Sequence, residues 1–308
     1  MLRQFLIILT IVIIFIAVYF PTRHARHYNY IALQNIANEL DLRKPIEIDY
    51  NLKNCTYHGV VLNNEDINID SVYVTKTFNK TFIGGEYKPS RCLPLIKTAL
   101  IVPYRSRPNH LNIFLNYMHS FLQRQNIHYR IFIVDQNDTS PFNRAKMLNF
   151  GATEAMKHKY NCLILHDVDL IPINTGNIYG CTKVPRHMSS SLDTFRYNLP
   201  YLTLFGGAAA ISSEHFKKVH GMSNKFYGWG GEDDDFYRRL VQNDLEPCRF
   251  PPEISRYIML PHEKQKASEN RFKLLEESEQ NQKTDGISSL SQNYIVKLED
   301  LYTHIIVS

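Results

Sequence analysis

Three short apolar runs separated by stretches of helical periodicity constrain this chain more than any other feature: TALIVPYR from Thr98, YRIFIVDQ from Tyr129 and CLILHDVD from Cys162. An amphipathic stretch from Pro108 to Gln125 lies between the first two, and a helical segment from about Arg144 to His158 between the second and third. Strand, helix, strand, helix, strand predicts an α/β fold with a parallel portion in its sheet, because parallel neighbours need a crossover and a helix supplies it. Ligands of such sheets bind beyond the carboxyl ends of the strands. Those ends read PYRSR, DQNDTSPFNR and HDVD, and each carries charge.

The N-terminus adds a second constraint. Phe5 to Phe20 is an uncharged apolar run of 16 residues, with Arg3 before it and Arg23, His24, Arg26 and His27 after it. A cleaved signal peptide and a retained membrane anchor both fit that length; the absence of a small-x-small cleavage pattern favours the anchor. Residues 1–4 then form a cytoplasmic tail and 5–20 the transmembrane segment. Residues 21–90, polar and Asn-rich, read as a stem with a little strand near Val72 to Thr77, and 91–308 as the compact domain, lumenal if the anchor is type II. With 44% hydrophobic and 12% aromatic residues in 308, the chain can bury a large core. Its 35 basic and 30 acidic residues are interspersed, which gives no sign of a nucleic-acid partner.

Five cysteines and the sequons at Asn54, Asn79 and Asn137 all follow the apolar run. In an oxidising lumen the arithmetic is two disulfides and one thiol, with the sequential pairs Cys55–Cys92 and Cys162–Cys181 closing the shortest loops; in a cytosolic domain all five would be buried thiols.

Downstream, Leu202 to Ser212 reads as a further strand broken by Gly206-Gly207, and Ser213 as the cap of a short helix to His220. GMSNKFYGWGG then forms a glycine-hinged aromatic loop around the single tryptophan, Trp229, and runs into Glu232-Asp-Asp-Asp235 at the start of a helix. A cap accounts for part of that acidity, and Asp235 is assigned to it. The segment from His262 to Gly286 is charged and reads as a solvated helix or mobile loop.

Asp167 and Asp169 leave a buried strand two residues apart, so an extended backbone points both to one side, where a hard divalent cation carrying a diphosphate is a natural ligand. Arg105, Arg107 and Arg144 stand at neighbouring strand ends with guanidinium forks suited to phosphate, and Phe142 offers a ring for a base. Met259 and His262 form a thioether–imidazole pair after the apparent strand ISRYIML; methionine is a soft donor, and residue chemistry alone argues weakly for a metal there.

PYRSR, FNRAKMLN, HDVDLIP, PRH, FGG and GWGGEDDD, in this order and spacing, resemble the animal β-1,4-galactosyltransferase family from about Cys92 to the C-terminus. The resemblance implies a glycosyltransferase A fold, a Rossmann-like mixed sheet flanked by helices with an N-terminal transmembrane anchor, in a type II Golgi membrane protein. It implies an inverting, Mn²⁺-dependent transfer from a UDP-sugar to the 4-hydroxyl of terminal β-GlcNAc on glycoproteins or glycolipids. Metal ligation carries over to Asp169, Met259 and His262. Nucleotide-sugar binding carries over to Pro103, Tyr104, Arg105, Arg107, Phe142, Asn143, Arg144, Asp167, Val168, Leu204, Gly207, Trp229 and His262. Asp233 is implied as general base, with Glu232 and Trp229 beside it. Tyr201, Gly231, Asp233, Asp234, Arg271, Phe272 and Leu275 are implied on the acceptor side, and the same two disulfides are implied, with Cys248 free. At Leu204, just before Phe205-Gly206-Gly207, galactosyl-transferring members usually carry tyrosine; leucine resembles the invertebrate β-1,4-N-acetylgalactosaminyltransferases. UDP-GalNAc is therefore the expected donor, ahead of UDP-galactose. The alternatives are a UDP-galactose-specific β-1,4-galactosyltransferase, a non-catalytic sugar-binding membrane protein of the same fold, and a metal-dependent hydrolase.

Overall fold

The computed structural model describes residues 2–24, 28–44, 50–74, 77–263, 265–291 and 293–308. A helix α1 (Leu2–His24) carries the apolar run, and its segment Leu2–Tyr19 is long and apolar enough to cross a membrane. Arg26 and His27, expected to flank it, lie outside the described residues.

The alternation read from the sequence is present: β1 (Lys97–Tyr104), α2 (Pro108–Leu122), β2 (His128–Gln136), α3 (Arg144–Lys157) and β3 (Cys162–His166). β4 (Leu170–Pro172), β5 (Arg186–His187), β6 (Ser191–Leu192), β7 (Ala208–Ser212) and α4 (Ser213–Lys218) follow. Then come α5 (Glu232–Gln242), β8 (Arg256–Met259), α6 (Arg271–Asn281), β9 (Tyr294–Leu298) and β10 (Thr303–Val307). The main sheet runs β9-β10-β2-β1-β3-β7-β5, with the short strand Glu86–Tyr87 also on β2. Its centre, β10-β2-β1-β3, is parallel, and β7 joins β3 antiparallel, so the sheet is mixed as expected. A small sheet β4-β8-β6 lies beyond the end of β3.

The central strands are apolar on both faces because both faces are covered. Leu100, Val102, Ile131 and Ile133 pack with α2 in one core; Ala99, Ile101, Phe132 and Val134 pack with α3, α4 and α5 in the other. Gly151 of α3 permits that second contact: a Cβ there would stand 2.3 Å from Ile101 and 2.8 Å from Val134.

Five expectations are corrected. Residues 28–74 are no free stem: Ile36, Leu40, Tyr57, Val61 and Val72 are buried in the first core, and Asp41 and Lys183 exchange backbone hydrogen bonds with Cys181 and Glu39. The strand near Val72 is a 3₁₀ turn, Ile69–Tyr73, with residues 75 and 76 outside the described set. The strand expected from Leu202 begins only at Ala208, and Ser212, not Ser213, caps α4 by accepting from the His215 amide at 3.1 Å. Asp235 is no cap: Gly231, at φ 97°, is the N-cap of α5, and Asp235 is buried one turn in, bonded to Arg239 at 2.9 Å.

Candidate active site

The carboxyl ends of β1, β2 and β3 meet the loop before β7 and the first turn of α5. Asp167 and Asp169 occupy a turn between β3 and β4, not a continued strand, so they diverge and do not share one face. Asp167 accepts from Arg144 Nε at 2.6 Å, while Asp169 Oδ2 accepts from Arg107 Nη1 at 2.9 Å and lies 3.1 Å from His262 Nε2.

The Asp169 side is built by strand pairing. β4 and β8 run antiparallel with Leu170 opposite Met259, and Leu260 N–H donates to the Asp169 carbonyl at 2.7 Å, which draws Met259 and His262 to Asp169. Among the described residues no cluster of three or more His, Cys, Asp or Glu that could hold a metal occurs; beside Asp169 and His262 the third residue is the thioether Met259. His262 Nδ1 faces the Glu263 carbonyl at 2.8 Å and must therefore carry a proton. Its Nε2 is aimed at a carboxylate oxygen, an arrangement that either a second proton or an intervening cation satisfies. A carboxylate oxygen and an imidazole nitrogen 3.1 Å apart, with a thioether residue on the strand paired beside them, are a donor set whose chemistry fits a borderline divalent ion such as Mn²⁺. Burial, with the Asp167 charge, raises the Asp169 pKa against the opposing pull of His262 and Arg107.

On the other side, Arg144 joins the strand ends to α5. It bonds Asp167, donates to the Gly207 carbonyl at 3.3 Å and lies 3.9 Å from Glu232. Burial disfavours its charge, but Asp167, Glu232 and Asp233 outweigh that and raise its pKa. Glu232 Oε2 is buried with no hydrogen-bond partner among the described residues, an exception to the rule that buried polar atoms are paired. Gly206 packs on Asp233, since a Cβ there would lie 2.4 Å from its Oδ2. Burial and the neighbouring Glu232 and Asp234 charges push Asp233 up to about 7; burial also raises Glu232 and Asp234, the latter opposed by a hydrogen bond from Tyr201.

Around this centre, Trp229 is 57% exposed, and its carbonyl accepts from Ser268 N–H at 2.9 Å, tying the tryptophan loop to the chain before α6. Gly228, Gly230 and Gly231 all have positive φ, a backbone region that glycine enters without steric cost. The Arg271 guanidinium stacks on the exposed Phe272 ring at 4.4 Å, next to Gly230 and Gly231. Tyr104 accepts from the Arg107 amide through its hydroxyl, and Leu204 is half-buried.

Some expected residues are committed elsewhere. Arg105 is spent on the β2–α3 loop, donating to the carbonyls of Gln136 and Ser140 and to Asp138, with Phe142 5.6 Å from its guanidinium. The Asn143 side chain caps α3 and binds the Asn224 carbonyl. Pro103, Val168 and Leu275 are buried. Residues not singled out from sequence are Ser189, whose hydroxyl bonds the Gly206 carbonyl and the Ala208 amide, and Asp193, which accepts from Met259 N–H at 3.1 Å. The PRH segment was the available signal for the first.

Both halves of this site fall within matches to known families. The model described as the N-terminal region of glycosyl transferase group 7 matches residues 52–182, and that described as the N-terminal domain of galactosyltransferase matches 186–263. β-1,4-Galactosyltransferase 4 of Cricetulus griseus is 41% identical over 234 residues, 74% of this chain and 68% of that protein. The chain belongs to the β-1,4-galactosyltransferase family. β-1,4-Galactosyltransferase 1 of Bos taurus is 39% identical over 254 residues, 81% of this chain, which spans 63% of the bovine protein's length. Among solved structures, the catalytic domain of Drosophila β-1,4-galactosyltransferase 7 in complex with xylobiose superposes with a TM-score of 0.60 at 28% identity, covering 69% of this chain and 93% of that one. A mutant of that Drosophila enzyme, in complex with manganese, UDP-Gal and xylobiose, gives a TM-score of 0.57. Both disulfides are formed, Cys55–Cys92 and Cys162–Cys181, with Cys248 free.

Proposed function

We propose that this protein is an inverting Mn²⁺-dependent transferase that moves GalNAc, and less readily galactose, from its UDP-sugar to the 4-hydroxyl of terminal β-GlcNAc. The observation that carries the reading is the adjacency, at one end of the sheet, of the Asp169–Met259–His262 donor set and the three acids Glu232, Asp233 and Asp234, with Arg144 between them. The Drosophila relative solved with manganese, UDP-Gal and xylobiose supports the same class of donor and acceptor.

Asp169, Met259 and His262 would hold the metal, and a bound Mn²⁺ supplies positive charge against the diphosphate leaving group. Arg107 and Arg144 orient phosphate oxygens. Asp233 takes the proton from the attacking acceptor hydroxyl, and a carboxyl held near 7 is matched to that task at neutral pH. Glu232 Oε2 accepts from a donor-sugar hydroxyl. Asp234, already bonded by Tyr201, faces the acceptor, and the tryptophan loop excludes water from the transfer. Helix α1 anchors the enzyme in a Golgi membrane with the domain lumenal.

UDP release measured with UDP-GalNAc and a GlcNAc-terminated acceptor is expected to need both Mn²⁺ and acceptor. Release that is equal without acceptor selects a hydrolase, and no Mn²⁺-dependent release with either donor leaves only a binding protein. Donor choice turns on Leu204: an aromatic ring beside the sugar's C2 would fill the space of an N-acetyl group, whereas leucine leaves it open. Leu204→Tyr should shift the kcat/KM ratio toward galactose by roughly 10–200-fold, the range that one apolar group in a pocket commands. A wild-type preference for galactose would defeat the donor assignment.

A further inference from the structure

Arg249 lies between α5 and β8, is 5% exposed, and pairs with no carboxylate among the described residues. A guanidinium so placed is held by what it donates to, and here that is the backbone leading to β7. One Nη donates to the carbonyls of Leu202 at 2.7 Å and Leu204 at 3.1 Å. Its Nε lies 3.5 Å from His187 Nδ1, and His187 Nε2 lies 3.0 Å from the Gly206 carbonyl, to which Ser189 also donates. Burial and the Arg249 charge push the His187 pKa down to about 3, so the ring is neutral; its Nε2 carries the proton for Gly206 and its Nδ1 accepts from Arg249. Three alternate carbonyls, at 202, 204 and 206, are thus fixed from one side.

The back of the clamp is closed by residues next to α1. The Tyr28 ring, itself 7% exposed, has its centroid 5.7 Å from the Arg249 guanidinium carbon, and the Arg249 carbonyl accepts from the Ile31 amide at 2.9 Å. Without them the guanidinium would be open to water, which competes for the carbonyls it holds. Four Cα steps of about 3.8 Å separate Tyr28 from His24, the last residue of α1, so this brace stands within about 15 Å of the helix end.

We infer that Tyr28–Ile31 is a positioning element of the donor site, acting through Arg249 on the backbone that carries Leu204. This rests on the donor reading above. The segment that follows the membrane helix is then part of the catalytic unit, and its packing sets the wall against which the sugar's C2 substituent lies.

The test uses the full chain in detergent micelles, with hydrogen exchange at residues 202–206 and separate KM values for donor and acceptor. Tyr28→Ala and Arg249→Lys are expected to speed exchange in that loop and to raise donor KM about tenfold, the usual effect of losing a charge-assisted hydrogen bond, with acceptor KM unmoved. Tyr28→Phe keeps the ring and should behave as wild type. Unchanged loop exchange in both variants overturns the brace, whether or not turnover is seen. Faster exchange with donor and acceptor KM rising together points to general loosening and overturns it as well. A responsive loop in an enzyme whose wild type turns over no UDP-sugar overturns the donor-site assignment alone.

Discussion

Asp233→Asn is expected to lower transfer by about 10²–10⁴-fold while raising the thermal midpoint at pH 8, because one charge serves chemistry and opposes folding. The carboxyl is raised to about 7 by burial and by Glu232 and Asp234, with Arg144 only partly compensating. A group whose folded pKa lies above its unfolded value stabilises the fold at low pH and loses that contribution as pH rises through the folded value. Above pH 7 the ionised Asp233 is therefore a net cost, and an isosteric amide removes roughly 1–3 kcal/mol of it. The wild-type rate should correspondingly fall as pH drops through about 7, where the base takes up its proton. UDP affinity, measured by calorimetry, should change little. Loss of activity with an unchanged or lower melting temperature at pH 8 would mean that the acid is not strained in the folded protein; near-normal turnover would remove it as the base.

What the sequence made legible was local. The parallel centre of the sheet showed because each strand is a continuous apolar run and each crossover has helical period, and the charged strand ends followed from the same pattern. The packing of residues 28–74 did not show, because Ile36, Leu40, Tyr57, Val61 and Val72 are single apolar anchors among polar residues and their partners lie far along the chain. Asp167 and Asp169 looked parallel because strand alternation was extended past His166, where a turn instead sends one to Arg144 and the other toward His262. Their separation divides the site into a half built around Arg144 and a half built around His262. The Arg249 clamp was invisible, since it acts on carbonyls and no residue pattern records which carbonyls need a donor. Asp235 is different: Arg239 stands four residues on, a spacing that places both on one helix face, and the run of four acids hid that pair behind a capping argument.

That pair carries the largest expected stability effect, which falls on Arg239→Met. Arg239 is 1% exposed and binds Asp235 at 2.9 Å, Asp285 at 3.4 Å and the Asp285 carbonyl at 2.8 Å. Ser278 of α6 donates to the other Asp235 oxygen, and Asp285 accepts from Ser223 and from the Asn224 amide. Asn224 in turn binds Asn149 and accepts from Asn143, so the cation fastens α5, α6 and the base of the tryptophan loop to α3. Methionine fills similar volume but leaves two buried carboxylates unpaired, which costs about 3–5 kcal/mol, whereas replacing the whole group with apolar residues would cost far less. Burial already holds Asp235 up at about 6 against the pull of Arg239; without that pull it rises further. The variant's stability deficit should therefore be greatest at pH 8 and shrink on acidification toward about 6, the direction required when the variant's folded carboxyl is the more basic one. Urea unfolding of Arg239→Met at pH 5.5 and pH 8, read as the midpoint shift, measures both. A loss below about 1 kcal/mol, or one independent of pH, would show that Asp235 and Asp285 do not depend on this cation.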